Sequence, residues 1–160
     1  MTGSWALYDS PVGELLLTSA GGCLTGVYFE DHRHPPEDRV ELAPDGTAFV
    51  RVITQLDEYF SGSRDRFDLP LAPAGTEFQQ KVWNALLEIP FGATESYGDL
   101  AARLGDPKAT RAVGLANGKN PISIIVPCHR VVGADGSLTG YGGGLERKRW
   151  LLVHEGALLT

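Results

Sequence analysis

Several large classes of protein are excluded by what this 160-residue sequence lacks. It has two cysteines, Cys23 and Cys128, about a hundred residues apart. That is no disulfide framework, and it points to a reducing compartment. No run of 18 apolar residues occurs, so no membrane-spanning helix is expected. The first residues carry no basic segment followed by an apolar one, and a cytoplasmic protein is expected rather than a secreted one. Positive charge is scarce: 14 Lys and Arg face 20 Asp and Glu, a net charge of −6. At first sight that balance opposes a polyanionic partner. Cys23, His32 and His34 are spaced in no zinc-binding pattern, so no metal is expected there. A small core cysteine and two solvated histidines account for them.

The charge is unevenly divided. Residues 1–75 hold five Lys and Arg against twelve Asp and Glu, whereas residues 76–160 hold nine against eight. A polyanion can therefore be met locally by the second half. Apolar residues make up 42% of the chain, enough for a core. Trp5–Tyr8, Leu15–Thr18 and Leu24–Phe29 read as short strands separated by Gly-containing turns, a small antiparallel sheet. Thr47–Phe60 is predicted helical, with Phe49, Ile53, Leu56 and Phe60 on one stripe and Ser61-Gly62-Ser63 ending it. The Pro- and Gly-rich segment 70–75 is the expected boundary between an N-terminal domain, 1–75, and a C-terminal domain, 76–160.

Thr76-Glu77-Phe78-Gln79 has the form of a capping box, and the helix it opens directs Phe78, Val82, Leu86 and Ile89 inward. Ser96 caps a second helix, Tyr97–Leu104, stopped by Gly105. Asp106-Pro107 is expected to cap a third, from Lys108 to about Asn117. Two helices across so short a turn form a helix-turn-helix pattern, although any tight helical corner looks the same. The second carries small residues, Ala109, Thr110, Ala112, Gly114 and Ala116, around one long cation, Arg111. It has too few base-reading side chains for sequence readout. Gly133-Ala134-Asp135-Gly136 signals a hairpin turn. Leu145–His154 is the last helix, with Arg147, Lys148 and Arg149 read as a solvated face.

Ile122, Ile124, Ile125 and Val126 read as a strand covered on both faces, ended by Pro127. Cys128 and His129 follow at once. A buried structural cysteine is the plainer alternative. A nucleophilic thiol needs a base, because a free thiol with pKa about 8.5 is only a few per cent ionised at neutral pH. His129 is the candidate, and on extended chain its ring points away from the thiol, which favours relay through a water. Glu155 is chosen to fix its tautomer, and Asn120 to tie down the loop.

With Asn120-Pro121 before Pro127-Cys128-His129-Arg130, and Gly140-Tyr141-Gly142-Gly143-Gly144 and His154-Glu155-Gly156 after it, the chain resembles the O6-alkylguanine-DNA alkyltransferases. The likeness is specific from about Thr76 to Gly156 and looser before. It implies an α+β fold: a small N-terminal α/β domain with an antiparallel sheet, then a mainly helical domain with a winged helix-turn-helix. It also implies irreversible transfer of an alkyl group from O6-alkylguanine, and from O4-alkylthymine, in double-stranded DNA to one cysteine, by a monomer needing no cofactor. Under the resemblance Cys128 is the acceptor, His129 the water-relayed base, Glu155 its orienter and Asn120 a support. Tyr97 donates to the leaving guanine. Val131, Tyr141, Gly142 and Gly143 line the pocket. Arg111 fills the gap left by the flipped nucleotide, on a helix presenting Ala109, Thr110, Ala112 and Gly114 to DNA. Gly142 departs from the hydroxyl- or methyl-bearing residue of many relatives, and the run of glycines predicts room for alkyl groups larger than methyl. Two other classes compete: a helix-turn-helix regulator without chemistry, and a Cys-His hydrolase.

Overall fold

The computed structural model describes residues 3–30 and 43–159; His32 and His34 lie outside them. Strands β1 (Ser4–Ser10), β2 (Gly13–Ala20), β3 (Cys23–Phe29) and the short β4 (Ala43–Pro44) form one sheet in the order β3-β2-β1-β4. β1–β2 and β2–β3 are antiparallel, and β4 joins β1 in parallel. Leu15, Leu17, Val27 and Phe29 point from this sheet into the core. Helix α1 (Val50–Phe60) follows a 3-10 turn over Gly46–Phe49 and buries Val52, Leu56 and Tyr59. Its inward face is thus rotated from the expected stripe, since Ile53 and Phe60 are only partly buried.

Local chemistry sets the second half. The capping box at α2 (Glu77–Leu86) is complete: Gln79 N donates to Thr76 Oγ1 at 3.1 Å, and Thr76 N donates to Gln79 Oε1 at 2.9 Å. Phe78 lies outward, 38% exposed, and Trp83 takes the inward position instead, its indole donating to Ala116 O at 2.8 Å. After the short strand β5 (Glu95–Ser96), Ser96 Oγ caps α3 (Tyr97–Arg103). Gly105, at φ 89°, ends it with paired backbone bonds, Gly105 N to Ala102 O and Asp106 N to Ala101 O. Helix α4 (Thr110–Gly118) starts two residues later than expected. Asp106 and Pro107 belong to the preceding turn, where the Asp106 carbonyl accepts from Ala109 N, and no side chain caps the helix.

Ile122–Val126 is not a strand. Ile122 makes one bridge, to Val27, and the chain then turns sharply. Asn120 is the reason: its side chain accepts from Ile122 N and donates to the carbonyls of Ile122 and Val126, so these groups are unavailable to a ladder. Ile124 sits at φ 73° in a γ-turn closed by Ile125 N to Ser123 O, 2.8 Å. Such a conformation costs a β-branched residue about 1–3 kcal/mol. Burying the Ile124 side chain to 1% exposure returns a comparable about 2 kcal/mol. Cys128–Arg130 then form a 3-10 turn leading into β6 (Val131–Val132). The turn at 133–136 closes through Gly136 N to Gly133 O, flanked by Gly133 N to Ser137 O, but the strand partner of β6 is β5, in parallel, not a returning hairpin strand. Helix α5 (Leu145–His154) completes the core with Leu151 and Leu152.

Candidate active site

The N-terminal sheet and the C-terminal helices meet at Cys128. Val27 N donates to Pro121 O and Ser123 N to Val27 O, so the edge of β3 holds the segment ahead of the thiol. Asn120 fastens that segment from within, and Asn117 Nδ2 reaches Cys128 O at 3.4 Å. Cys128 is 4% exposed and His129 fully buried.

The imidazole is fixed from one side. His129 Nε2 lies 2.8 Å from Glu155 Oε2, and a carboxylate accepts, so Nε2 carries the proton. His129 Nδ1 has no hydrogen-bond partner among the described residues. Burial pushes the imidazole below its ordinary value, outweighing the Glu155 carboxylate, so the ring is neutral at pH 7. Glu155 is ionised, with its pKa drawn down to about 2 by His129 and Arg130 against the opposing effect of burial. Its charge is balanced by Arg130, whose Nε and Nη2 donate to Oε1 at 2.7 Å and Oε2 at 3.0 Å. Arg130 also donates to Ile89 O. Tyr59 of α1 donates its hydroxyl to Glu155 Oε2 at 2.6 Å.

A second cation is buried here. Lys148 is fully buried, and Nζ donates to Val131 O at 2.5 Å and Thr139 O at 2.7 Å. The solvated-face reading of 147–149 fails at two of its residues. Lys148 turns inward, and Arg147 Nε bonds Val12 O while its guanidinium lies over Phe29. Burial lowers the Lys148 pKa from 10.5 to about 8, so it is still charged at neutral pH. Burial raises the Cys128 thiol, and Asn120 and the Lys148 charge oppose that rise. The resting group is a thiol that ionises only when a base takes its proton.

Around this set, Tyr97 donates to Thr139 O at 3.1 Å, with Lys148 5.9 Å from its ring centre. Burial raises its phenol, keeping it a donor. Tyr141 is buried, edge-on to both His129 and Phe29. Val131 presents its carbonyl to Lys148. Gly143 gives no spare room: an added Cβ would lie 2.5 Å from the Phe29 ring. Gly144 is at φ 90°, a backbone requirement rather than a space. On α4, Thr110, Arg111 and Ala112 are exposed. Ala109 is half-buried, and Gly114 faces the Tyr97 ring, where a Cβ would sit at 3.7 Å. Leu115, 65% exposed and one turn beyond Arg111, joins that surface. Among the described residues no group of three His, Cys, Asp or Glu is placed to hold a metal ion, and no helix is long and apolar enough to cross a membrane.

Tyr59, Arg130 and Lys148 join the site through the fold rather than through a motif. Two of them carry a sequence signal. Lys148, Leu151, Leu152 and Glu155 fall at i, i+3, i+4 and i+7, as do Val52, Gln55, Leu56 and Tyr59, the pattern of a buried helical face.

A buried thiol, a neutral imidazole whose Nδ1 has no partner among the described residues and an ionised carboxylate, beside a helix-turn-helix, are the chemical groups of a nucleophilic centre in a protein of the DNA-binding type. Comparison with known proteins narrows that class. Residues 4–73 match the family model of the 6-O-methylguanine DNA methyltransferase ribonuclease-like domain, and residues 77–157 that of its DNA-binding domain. A methylated-DNA–protein-cysteine methyltransferase of Mycobacterium leprae is 54% identical over 147 residues, covering 92% of this chain and 88% of that protein. One from Methanosarcina acetivorans is 49% identical over 153 residues, 96% and 98% of the two chains. The crystal structure of Mycobacterium tuberculosis OGT in complex with DNA has 51% identity and a TM-score of 0.91, covering 96% of this chain and 93% of that one. The chain belongs to the 6-O-methylguanine DNA methyltransferase family.

Proposed function

We propose that this protein repairs DNA by direct reversal, moving the alkyl group of O6-alkylguanine, and of O4-alkylthymine, onto Cys128 once and irreversibly. The observation that carries the reading is the buried Cys128–His129–Glu155 set, with Nε2 committed to the carboxylate and Nδ1 uncommitted. His129 Nδ1 takes the thiol proton through a water. The sulfur attacks the alkyl carbon, an S–C bond forms and the C–O6 bond breaks. The electron pair leaves on the base, which gains a proton and becomes guanine. Lys148 favours the thiolate as it forms, and Tyr97, released from Thr139 O, donates to the departing base. Pre-placed charge of this kind acts strongly because water is excluded.

A base stacked in duplex is out of reach of a buried thiol, so the nucleotide is extruded. Arg111 enters the minor groove and holds the vacated place, while Thr110, Ala112 and the half-buried Ala109 allow close approach. Tyr141, Gly142 and the Val131 backbone line the pocket. The protein acts as a monomer in the cytoplasm. The gap between the two family matches supports a domain boundary at residues 75–76. Intact mass after exposure to duplex carrying O6-methylguanine tests the reading. One methyl group per chain, mapped to Cys128 and absent in Cys128→Ala, is expected. Repeated turnover, or a methyl group on Cys23, would overturn it.

A further inference from the structure

Glu155 is held by more than its expected partner. Oε2 accepts from Tyr59 at 2.6 Å, from His129 at 2.8 Å and from Arg130 at 3.0 Å. Tyr59 is the one donor of the three that comes from the N-terminal α/β region, and it is fully buried. Its placement is over-determined. The ring packs among Phe67, Phe91 and His154, and its own carbonyl accepts from His154 Nε2 at 2.7 Å. His154, the last residue of α5, and Glu155, its C-cap, therefore grip the backbone and the hydroxyl of one α1 residue. Arg130 alone already neutralises Glu155 through two bonds, so charge balance does not require the phenol. A hydroxyl competing for the oxygen that holds His129 has a different effect. It withdraws part of the carboxylate's hydrogen-bonding capacity from the imidazole.

We infer that Tyr59 is a positioning residue for alkyl transfer: its hydroxyl sets how strongly Glu155 holds His129, and so how basic Nδ1 is. This rests on the reading of His129 as the base. A stronger Glu155–His129 bond would favour the imidazolium, which has no lone pair for the thiol proton. A weaker one would leave the ring free to change tautomer. The other charged or titratable groups facing His129 are Arg130 and Lys148, which oppose its protonation, with Cys128 adjacent and the Tyr141 ring edge-on. Arg130 shares Glu155 Oε2 with the Tyr59 hydroxyl, and Tyr141 also feels it, whereas Lys148 makes its bonds elsewhere, to Val131 O and Thr139 O.

The test uses the full chain with two changes at position 59: Tyr59→Phe, which deletes the donor, and 3-fluorotyrosine, which keeps ring and hydroxyl but makes a more acidic, stronger donor. The readouts are the proton resonance of His129 Nε2–H and the pH profile of single-turnover transfer from O6-methylguanine duplex. Tyr59→Phe should move that resonance downfield and the acid limb of the rate up by about one pH unit. Fluorotyrosine should move both the other way. Should Tyr59→Phe not fold, the fluorotyrosine arm decides alone. A rate loss with resonance and acid limb unmoved would mean a purely structural Tyr59 and overturn the inference. His129→Gln transferring at the wild-type rate would instead remove the underlying reading of the base. The Nε2–H resonance would still respond to position 59 in that case, so the two failures are distinguishable.

Discussion

Replacing Glu155 with glutamine removes a negative charge from a side chain that is 0% exposed. Arg130, only 8% exposed, then keeps its charge without the ion pair that balances it. Breaking a buried pair on one side costs about 3–5 kcal/mol. The proton equilibrium gives an independent figure. Folding draws the Glu155 pKa from 4.5 to about 2, which corresponds to about 3 kcal/mol at 1.36 kcal/mol per pH unit. The two routes agree on about 3 kcal/mol, or roughly 10 °C in melting temperature for a chain of this size. The sign follows from the depressed value. The stabilisation is complete above pH 4.5 and is lost as pH falls toward about 2, because the unfolded carboxyl binds its proton first. Urea unfolding of wild type and Glu155→Gln from pH 7 to pH 3 measures the difference. It should be about 3 kcal/mol at neutral pH and shrink below pH 4.5. A variant within 1 kcal/mol of wild type at pH 7, or two curves that stay parallel into acid, would refute the reasoning.

Lys148 titrates in the opposite range. Its folded pKa of about 8 lies below 10.5, so the unfolded chain binds more protons between those values and stability rises with pH there. Lys148→Met should abolish that rise, measured by urea unfolding at pH 8 and 10, and should slow transfer at pH 7 by removing charge beside the thiol. Arg111→Ala should slow duplex repair by roughly ten-fold or more while sparing free O6-alkylguanine base, since unstacking costs a few kcal/mol; equal losses would place Arg111 in the pocket or the fold. Gly143→Ala should destabilise the protein through contact with Phe29. Gly142→Val, in a stably folded variant, should lower the benzyl-to-methyl rate ratio; an unchanged ratio would show that Gly142 does not shape the pocket. A log-log salt titration of DNA binding should show a shallow slope, because the second half carries a near-even balance of charge.

Features written in neighbouring residues were readable from the sequence. The Thr76–Gln79 box, the Ser96 cap and the glycine stop at 105 each depend on side chains within a few positions, and each formed. Cys128, His129 and Glu155 were picked out by chemistry and resemblance, and the fold brings them together. The errors arise where distant contacts override local preference. Ile122–Val126 has a strand's composition, but the Asn120 side chain takes the hydrogen bonds a strand would need. Lys148 sits between two arginines, which suggests solvent. Its inward direction follows from the helical step that also buries Leu151 and Glu155. Tyr59 is hidden because the apolar stripe through Ile53 and Phe60 lies about one residue around the helix from the buried face. Its partner, Glu155, caps the C-terminus of α5, and no local signal reaches that far.

The attachment of the Cys128 segment to β3 has a consequence for solubility. β3 is a sheet edge, and an edge left bare presents donors and acceptors to any other extended chain. Here that row is occupied by the protein's own backbone: Leu24 pairs with Pro70 and Ala72, and Val27 pairs with Pro121 and Ser123. The second of these covers belongs to the same segment that carries the thiol. A lesion that detaches it, such as loss of the Asn120 amide, uncovers half of a β-strand as it disables the site. Variants of this segment should therefore aggregate as well as lose activity, and they should do so by edge-to-edge pairing. Selection for a correctly held nucleophile and selection against self-association act here on the same hydrogen bonds.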